Sequence, residues 1–208
     1  MKRTLTLTVV ALALIASACG GDAEPEQTSI IAGALPLVDF APLFYADQQG
    51  YFSEEGLDVT VEVVQGGPVA AQLLLSGDIQ VSFNNWLSVA AAVSNGAPLT
   101  VVANGTWLGD GQGGVFVTAD SPIQTLTDLD GRTVATNTIG NVGDITIENL
   151  IAEQGLDIDV QYVEVSFPEI IPAIESGAVD AGFLTEPFTS FGTVSGLRSV
   201  ADPYTGRA

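Results

Sequence analysis

The stretches GLDV (56–59) and LSGDIQVSF (75–83) recur about one hundred residues later as GLDI (155–158) and ESGAVDAGF (175–183). The interval from Gly56 to Ser76 is 20 positions, and that from Gly155 to Ser176 is 21. In each copy a glycine ends a helical pattern just before an apolar strand. The repetition predicts two α/β lobes built on one plan, with a cleft between them, which is a common place to hold a small molecule.

Apolar strands alternate with helices on both sides of these motifs. Strands are predicted at 30–36, 57–65, 79–83, 99–105, 115–118, 133–136, 160–165 and 179–184, and helices at 41–49, 68–75, 87–94, 144–154 and 168–176. This alternation is typical of mostly parallel sheets, which bind ligands at the carboxyl ends of their strands. The loops at those ends are 37–40, 65–67, 84–86, 137–143, 165–167 and 185–188. The second copy is predicted to be the shorter one, ending soon after residue 188.

The amino-terminal residues 1–18 have the pattern of a secretion signal. Two basic residues precede an apolar stretch (5–17) that is too short for a bilayer, which takes about 20 residues. The following ASAC (16–19) resembles a bacterial lipobox and predicts lipidation at Cys19, the one cysteine of the chain, although Ala16 stands where Leu is usual. The alternative is a signal peptide with an incidental cysteine. Residues 19–29 form a polar tether, so we expect an exported protein that is lipid-anchored at the outer face of the cytoplasmic membrane, in the periplasm or at the cell surface.

Charge and composition exclude several classes of function. The chain has 25 acidic and 5 basic residues, whereas phosphate binding requires clustered Lys and Arg, so nucleic acid is not expected as a partner. The sequence has no His, which excludes Ser-His-Asp, Cys-His and His-based metal sites. We therefore predict neither a metal nor a cofactor, and no enzymatic activity. The acidity serves solubility or life in salt, or it reflects a cleft that prefers neutral or cationic solutes.

The glycine-rich stretch LGDGQGG (108–114) separates the two copies. We predict lobe one at 30–108, the crossing and hinge at 109–116, and lobe two at 117–208. The hydrophobic fraction of 47% is sufficient for a sizeable core, and we expect a monomer.

Four stretches carry a family resemblance: APLFYA (41–46), GYFSEEGLDV (50–59), LTDLDGRTVA (126–135), and SGAVDA (176–181) running on to EPF (186–188). They resemble the SsuA/THI5-like family, the nitrate, sulfonate, taurine and thiamine-precursor group of solute-binding proteins of ABC importers. The resemblance implies a type II periplasmic-binding fold that closes around its solute and delivers it to the permease subunits. Family members run on well past the EPF position and return to the first lobe, which implies that this chain is truncated at its carboxyl end.

The candidate ligand-binding residues lie in the loops at the carboxyl ends of the strands: Asp39, Phe40, Gly66, Gly67, Asn84, Asn85, Trp86, Asn137, Gly140, Asn141, Val142, Gly143, Glu186 and Pro187. A carboxylate at 39 can accept hydrogen bonds from an amine or a ring N–H, or cap the following helix. The aromatic residues can stack on a flat solute or belong to the core. Glycines at 66 and 67 let backbone amides approach a ligand, or form a plain strand-to-helix turn. The asparagines can bind a solute or form turns.

Between the tether and Gly131 there is no Lys, Arg or His, so an anionic solute would depend on backbone amides, helix N-termini or Asn and Thr side chains. Arg132 stands at the amino end of a predicted strand, away from the cleft. These observations favour a neutral or cationic nitrogenous solute, such as a pyrimidine-like thiamine precursor, with sulfonate, taurine and nitrate as alternatives. The other functional classes are an enzyme on the same fold and a surface protein without transport activity. A fungal type of thiamine-pyrimidine synthase is disfavoured because the chain lacks His and its one Cys lies in the lipobox.

Overall fold

The computed structural model describes residues 27–106, 109 and 111–204. The predicted secretion signal and the lipidation site at Cys19 lie outside these residues. The tether prediction falls almost wholly outside them as well, and the first strand begins at Ser29.

Lobe one is built around a parallel sheet of three strands, β1 (Ser29–Ala34), β2 (Asp58–Val63) and β3 (Val81–Ser82), in the order β2-β1-β3. Its helices are α1 (Ala41–Gln49), α2 (Tyr51–Glu54), α3 (Gly67–Ser76) and α4 (Trp86–Ser94), and a short 3-10 turn covers Val38–Phe40. The predicted helices of this lobe are therefore present, and the short helix α2 is present in addition to them.

Lobe two has a sheet of five strands in the order β6-β5-β7-β4-β8. The strands are β4 (Gly113–Val117), β5 (Thr133–Thr136), β6 (Gln161–Glu164), β7 (Ala181–Thr185) and β8 (Arg198–Ala201). The helices are α5 (Val142–Glu153), α6 (Phe167–Glu175) and α7 (Phe188–Val194), and a 3-10 turn spans Leu126–Leu129. Strand β5 pairs in parallel with β6 and β7, whereas β4 is antiparallel to β7 and β8.

The repeated motifs occupy equivalent positions in the two lobes. Gly77 and Gly177 follow α3 and α6 with φ angles of +83° and +73°, a left-handed conformation that glycine adopts without the penalty of a Cβ. The strands β3 and β7 begin four residues after these glycines. The sequence repeat therefore marks one helix–turn–strand unit in each lobe, as predicted.

Most of the core lies in lobe two. Of the 31 buried hydrophobic residues in the described part of the chain, 8 lie in lobe one and 23 in lobe two, where Phe183, Leu150 and Ile170 are among the largest fully buried side chains. Strands β4 and β7 are buried at every position, as expected for central strands covered on both faces.

Three predictions about the strands are corrected by the structure. Residues 99–105 form no strand, and Val102 is 83% exposed, because a run of apolar residues becomes a strand only where a neighbouring strand offers its backbone groups. Strand β4 is antiparallel to its neighbours, which an alternating pattern of strands and helices could not reveal. The second copy is also not the shorter one, since α7 and β8 continue lobe two beyond residue 188.

The crossing predicted at 109–116 overlaps the start of β4, so residues 113–116 belong to the sheet of lobe two. Among the described residues, no helix combines the length and the hydropathy needed to cross a bilayer.

Candidate functional site between the lobes

The two lobes meet through the loops at the carboxyl ends of their strands. Gln65, which follows β2, and Asn137, which follows β5, form a reciprocal pair across the boundary. The Gln65 side chain donates to the Asn137 carbonyl at 3.2 Å, and the Asn137 side chain donates to the Gln65 carbonyl at 3.0 Å. Each amide group thus satisfies a backbone carbonyl of the opposite lobe.

Gly66 fits into this boundary because it has no side chain. A Cβ at Gly66 would lie 2.6 Å from Cγ2 and 2.7 Å from Oγ1 of Thr138, and 3.0 Å from the Asn137 amide nitrogen. Its backbone is extended, with φ −177° and ψ 172°, so only the approach of lobe two requires glycine here. The absence of a side chain at Gly66 therefore allows the two lobes to approach each other this closely.

A second polar contact joins the lobes at the start of α5. The Ser88 hydroxyl of α4 donates to Oδ1 of Asn141 at 2.9 Å, and the Asn141 amide donates to Oγ1 of Thr138 at 2.8 Å. Asn141 also caps α5, because its side chain accepts from the backbone of Asp144 in a capping box. These side chains are buried, so the asparagine predicted to bind solute binds its own helix and the opposite lobe.

The rest of the predicted loop 137–143 is also occupied by local contacts. The Asp144 carboxylate accepts from the backbone N–H groups of Gly140 at 2.6 Å and of Asn141 at 2.9 Å. Val142 and Gly143 lie within the first turn of α5 rather than in a loop, and Gly143 is buried against Thr136. The first turn of α5 is thereby capped from within the chain, which leaves little room for an anion at this N-terminus.

The pair Asn84–Asn85 shapes the turn between β3 and α4. The Asn84 side chain donates to the Gly67 carbonyl at 3.1 Å and accepts from the Asn85 backbone, while Asn85 caps α4 by accepting from Ser88 at 2.9 Å. Gly67 is buried against Asn84 and Ser88. Trp86 begins α4 and is 62% exposed, so its ring is free to contact a solute or another protein.

Asp39 and Phe40 lie on the opposite side of the boundary from α5. Phe40 is buried and packs on Phe83, with ring centroids 4.6 Å apart, so it belongs to the core of lobe one. Asp39 is half-buried, and among the described residues no hydrogen bond or ion pair reaches its carboxylate. Burial raises the pKa of Asp39 above its ordinary value. An unpaired, partly desolvated carboxylate is the type of group that a donor solute would satisfy.

Glu186 and Pro187 bring lobe two against this loop. The Val38 N–H donates to the Glu186 carbonyl at 3.2 Å, and the Glu186 carboxylate accepts from Ser190 at 2.9 Å. Pro187 lines an apolar groove of about 570 Å³ together with Leu37, Val38, Phe44, Tyr45 and others of lobe one. Predicted site residues from both lobes are therefore brought to one boundary.

No basic side chain of the described residues lies at this boundary. Arg132 stands at the start of β5 and pairs with Asp180 at 3.5 Å. Arg198 begins β8 and donates to the carbonyls of Ser121 at 2.9 Å and Ile123 at 2.6 Å. Both arginines therefore lie at the amino ends of their strands, which is the end of the lobe-two sheet that faces away from the boundary. This position was predicted for Arg132.

Two functional candidates were not singled out in the sequence. Tyr204, which follows β8, packs edge-on against Phe183 with ring centroids 5.8 Å apart. Burial raises the pKa of Tyr204, and the negative charge of Asp39 adds to this effect. Nothing in the sequence signals this placement, because it depends on the antiparallel return of β8. Gln65 is the second functional candidate. It lies in the predicted loop 65–67, and this position is the sequence feature that could have identified it.

No group of three or more His, Cys, Asp or Glu side chains arranged to hold a metal ion occurs in the part of the chain that the structure describes. Two buried hydroxyls, those of Thr136 and Thr189, have no hydrogen-bond partner there.

Comparison with known structures identifies the fold. The alkanesulfonate-binding protein SsuA of Xanthomonas axonopodis pv. citri, bound to MOPS, superposes with a TM-score of 0.70 at 22% identity, over 84% of this chain and 60% of that protein. The periplasmic nitrate-binding protein NrtA of Synechocystis gives a TM-score of 0.65 at 20% identity, over 85% of this chain and 51% of that protein. The chain is thus a two-lobed α/β protein with the periplasmic-binding fold, as predicted.

The sequence places the chain in a family. Residues 38–193 match the family model described as NMT1/THI5 like, and the chain belongs to this family. A curated relative, the 4-amino-5-hydroxymethyl-2-methylpyrimidine phosphate synthase of Aspergillus parasiticus, is 29% identical over 143 residues, which are 68% of this chain and 41% of that protein. The chain therefore spans less than half the length of this relative.

Proposed function

We propose that this protein is the solute-binding component of an ABC importer, which captures a small solute between its lobes and delivers it to permease subunits. The periplasmic-binding fold supports this class of function. Lipid anchoring at Cys19 and an extracytoplasmic location are parts of the same proposal, supported by the sequence pattern of residues 1–19. The proposed site comprises the boundary residues of both lobes, with Asp39 and Trp86 as the groups most open to a solute.

The observation that carries the solute class is the electrostatic character of the boundary. It contains a half-buried carboxylate without a partner, Asp39, while both arginines of the described residues are engaged at the opposite edge. An anion would have to approach that carboxylate without a compensating cation, whereas an amine or a ring N–H would satisfy it. We therefore propose a neutral or cationic nitrogenous solute, of the pyrimidine type, in preference to sulfonate, taurine or nitrate.

A thermal-shift experiment tests this function. The purified protein is heated with 4-amino-5-hydroxymethyl-2-methylpyrimidine, taurine, an alkanesulfonate or nitrate in parallel. A solute that binds the folded state adds about 2.7 kcal/mol to the free energy of unfolding at a concentration of 100 times its Kd. We expect the aminopyrimidine to raise Tm in this way. Stabilisation by the anions alone would overturn the solute class, and no stabilisation by any of the four would contradict the binding function.

A pyrimidine-forming enzyme is the second candidate, because the relative from Aspergillus parasiticus is named as such a synthase. The 208 residues contain no His, so imidazole cannot act as base or metal ligand within them. Incubation of the protein with candidate precursors, followed by mass spectrometry of the products, distinguishes turnover from binding.

A further inference from the structure

The lobe-one sheet has an open edge at β3. This strand pairs in parallel with β1 on one side, no strand of the described residues lies on its other side, and Val81 is exposed. The apolar segment 99–105, which follows α4, is irregular, and the backbone of residues 100–105 makes no hydrogen bond with any other described residue. Lobe one therefore carries both an open edge and an unpaired segment of strand-like composition, and each of these can bind a further strand.

Lobe two shows which kind of strand fits this edge. Strand β7 is followed by α7, a turn at Gly196 and β8, whereas β3 is followed by α4, a turn at Gly96 and the segment 99–105. The two turn glycines have similar φ angles, +91° and +87°. In lobe two, β4 lies between β7 and β8 and is antiparallel to both. Among the described residues, lobe one thus has the counterparts of β7 and β8 but not that of β4.

The directions of the strands restrict what can take this place. Since β4 is antiparallel to both of its neighbours, β8 runs in the direction of β7, and the equivalence of the lobes gives the segment 99–105 the direction of β3. A Cβ at Gly105 would fall on the ring of Phe83, so the carboxyl ends of the segment and of β3 lie together, as this direction requires. The strand between them must therefore run the opposite way. A second copy related by a two-fold axis perpendicular to the sheet presents its own 99–105 in that opposite direction.

The charge distribution also suits a second copy of this chain. Residues 79–109 contain no Asp, Glu, Lys or Arg, and this is the longest uncharged run of a chain with 25 acidic residues. Within it, Val93, Val101 and Val102 are exposed, Val102 by 83%. Exposed apolar residues gathered in one uncharged stretch indicate an interaction surface, because charged residues are depleted at the centres of protein interfaces. Two strongly acidic chains can meet at such a surface without repulsion at the contact itself.

We propose that the open edge of lobe one is a dimerisation surface, at which two copies of this chain exchange their 99–105 segments. Each segment lies antiparallel to β3 of the other copy, in the place that β4 takes in lobe two. The strand order across the dimer is β2-β1-β3, the two exchanged segments, and then β3-β1-β2 of the second copy. Each chain supplies one open edge and one unpaired segment, so the exchange closes at two copies. The dimer replaces the monomer expected from the sequence, and it does not depend on the identity of the solute.

The mass of the purified protein in solution tests the inference. Light scattering coupled to size-exclusion chromatography is carried out over a range of concentrations and under reducing conditions, so that no disulfide at Cys19 contributes. We expect the mass of two copies. Val102→Pro removes a backbone donor that a central strand needs, and Val102→Lys places a charge in the uncharged surface. The lysine also lowers the net negative charge, so added repulsion between the copies cannot explain a loss of the dimer. We expect the mass of one copy for both variants.

Val194→Lys is the matched control, because Val194 is 89% exposed at the end of α7 in lobe two, outside the proposed surface. A dimer that is kept in Val194→Lys and lost in both Val102 variants supports the inference. A wild type that has the mass of one copy at every concentration would overturn it, as would a dimer that both Val102 variants retain. A mass that keeps growing with concentration beyond two copies would contradict a closed exchange. Far-ultraviolet circular dichroism of each variant shows whether it is folded.

Discussion

At the scale of single residues, Asp39 shows how a group that is proposed to bind the solute can lower the stability of the folded protein. Its carboxylate is half-buried without a hydrogen-bond partner among the described residues, and burial raises its pKa. A carboxyl whose pKa is raised on folding binds its proton more tightly in the folded state. Its ionisation therefore lowers the free energy of unfolding as the pH rises from the ordinary pKa of 3.8 through the raised pKa of the folded state.

We expect Asp39→Asn to raise Tm at pH 7, because the amide removes the cost of burying a charge. The gain should vanish near pH 3, where the wild-type carboxyl is protonated as well. Tm measured by circular dichroism at the two pH values checks this, with Asp47→Asn on the exposed side of α1 as the control. A lower Tm for Asp39→Asn than for the wild type at pH 7 would contradict the expectation.

Much of the candidate site could be predicted residue by residue, but the roles of the residues could not. The sequence placed Gly66, Asn137 and Asn141 at the carboxyl ends of strands, and the structure brings them to one boundary. The two asparagine side chains bond to the other lobe, and Asn141 also caps a helix. These contacts depend on distances between the lobes, which no local sequence pattern encodes. Tyr204 was missed because its position follows from pairing with a strand over 80 residues earlier in the chain.

At the scale of helices and strands, the boundary depends on how closely the β2–α3 turn can approach the β5–α5 loop. Gly66→Ala keeps an extended backbone available but inserts a methyl group 2.6 Å from Cγ2 of Thr138. Forcing an extra carbon into a packed contact costs about 1–3 kcal/mol. We expect the substitution to separate the lobes, lowering the free energy of unfolding by that amount and enlarging the radius of gyration seen by small-angle X-ray scattering.

The double variant Gly66→Ala/Thr138→Ala provides the matched control for this prediction. Thr138→Ala takes away the two atoms nearest to the new methyl group and leaves the Asn137 amide nitrogen at 3.0 Å, at the loss of the bond from Asn141. We expect the compact form to be recovered in the double variant. An unchanged radius of gyration in Gly66→Ala alone would show that the boundary is not set by this contact.

The strand and helix order was predictable where turn chemistry and periodicity coincide. Helices α1, α3 and α6 have apolar stretches bounded by proline near the start and glycine near the end, and all three were placed within about two residues. The stretch 99–105 has the composition of a strand, yet it has no partner strand in the described structure and stays irregular. Pairing is a tertiary property, so composition alone could not decide it.

At the scale of the whole molecule, the two lobes share the repeated helix–turn–strand unit but differ in the size of their hydrophobic cores. Among the residues that the structure describes, lobe one holds 8 buried hydrophobic residues and lobe two holds 23. The sequence repeat correctly predicted two lobes, and it failed on their relative size because α7 and β8 have no counterpart in the repeated motifs. Burial depends on how many strands and helices surround a position, which a motif of ten residues does not report.

We expect a segment comprising residues 111–204 to fold without lobe one, since it contains all five strands of its sheet and most of the buried hydrophobic residues. Urea unfolding followed by circular dichroism should show a single cooperative transition. The segment 27–106 is the matched comparison and should unfold with little cooperativity, because its core is small. A non-cooperative transition for 111–204 would contradict the prediction.

The antiparallel return of β8 has a consequence for the connectivity of the chain. Gly111, where the chain enters lobe two, and Asp202, which follows β8, are joined by a hydrogen bond although they are 91 residues apart. Topologically, lobe two is a loop that leaves and rejoins one point of the molecule. A rigid rotation of the lobe about that point would leave both sheets intact. It would break the hydrogen bonds that cross the boundary, those between Gln65 and Asn137, from Ser88 to Asn141 and from Val38 to Glu186.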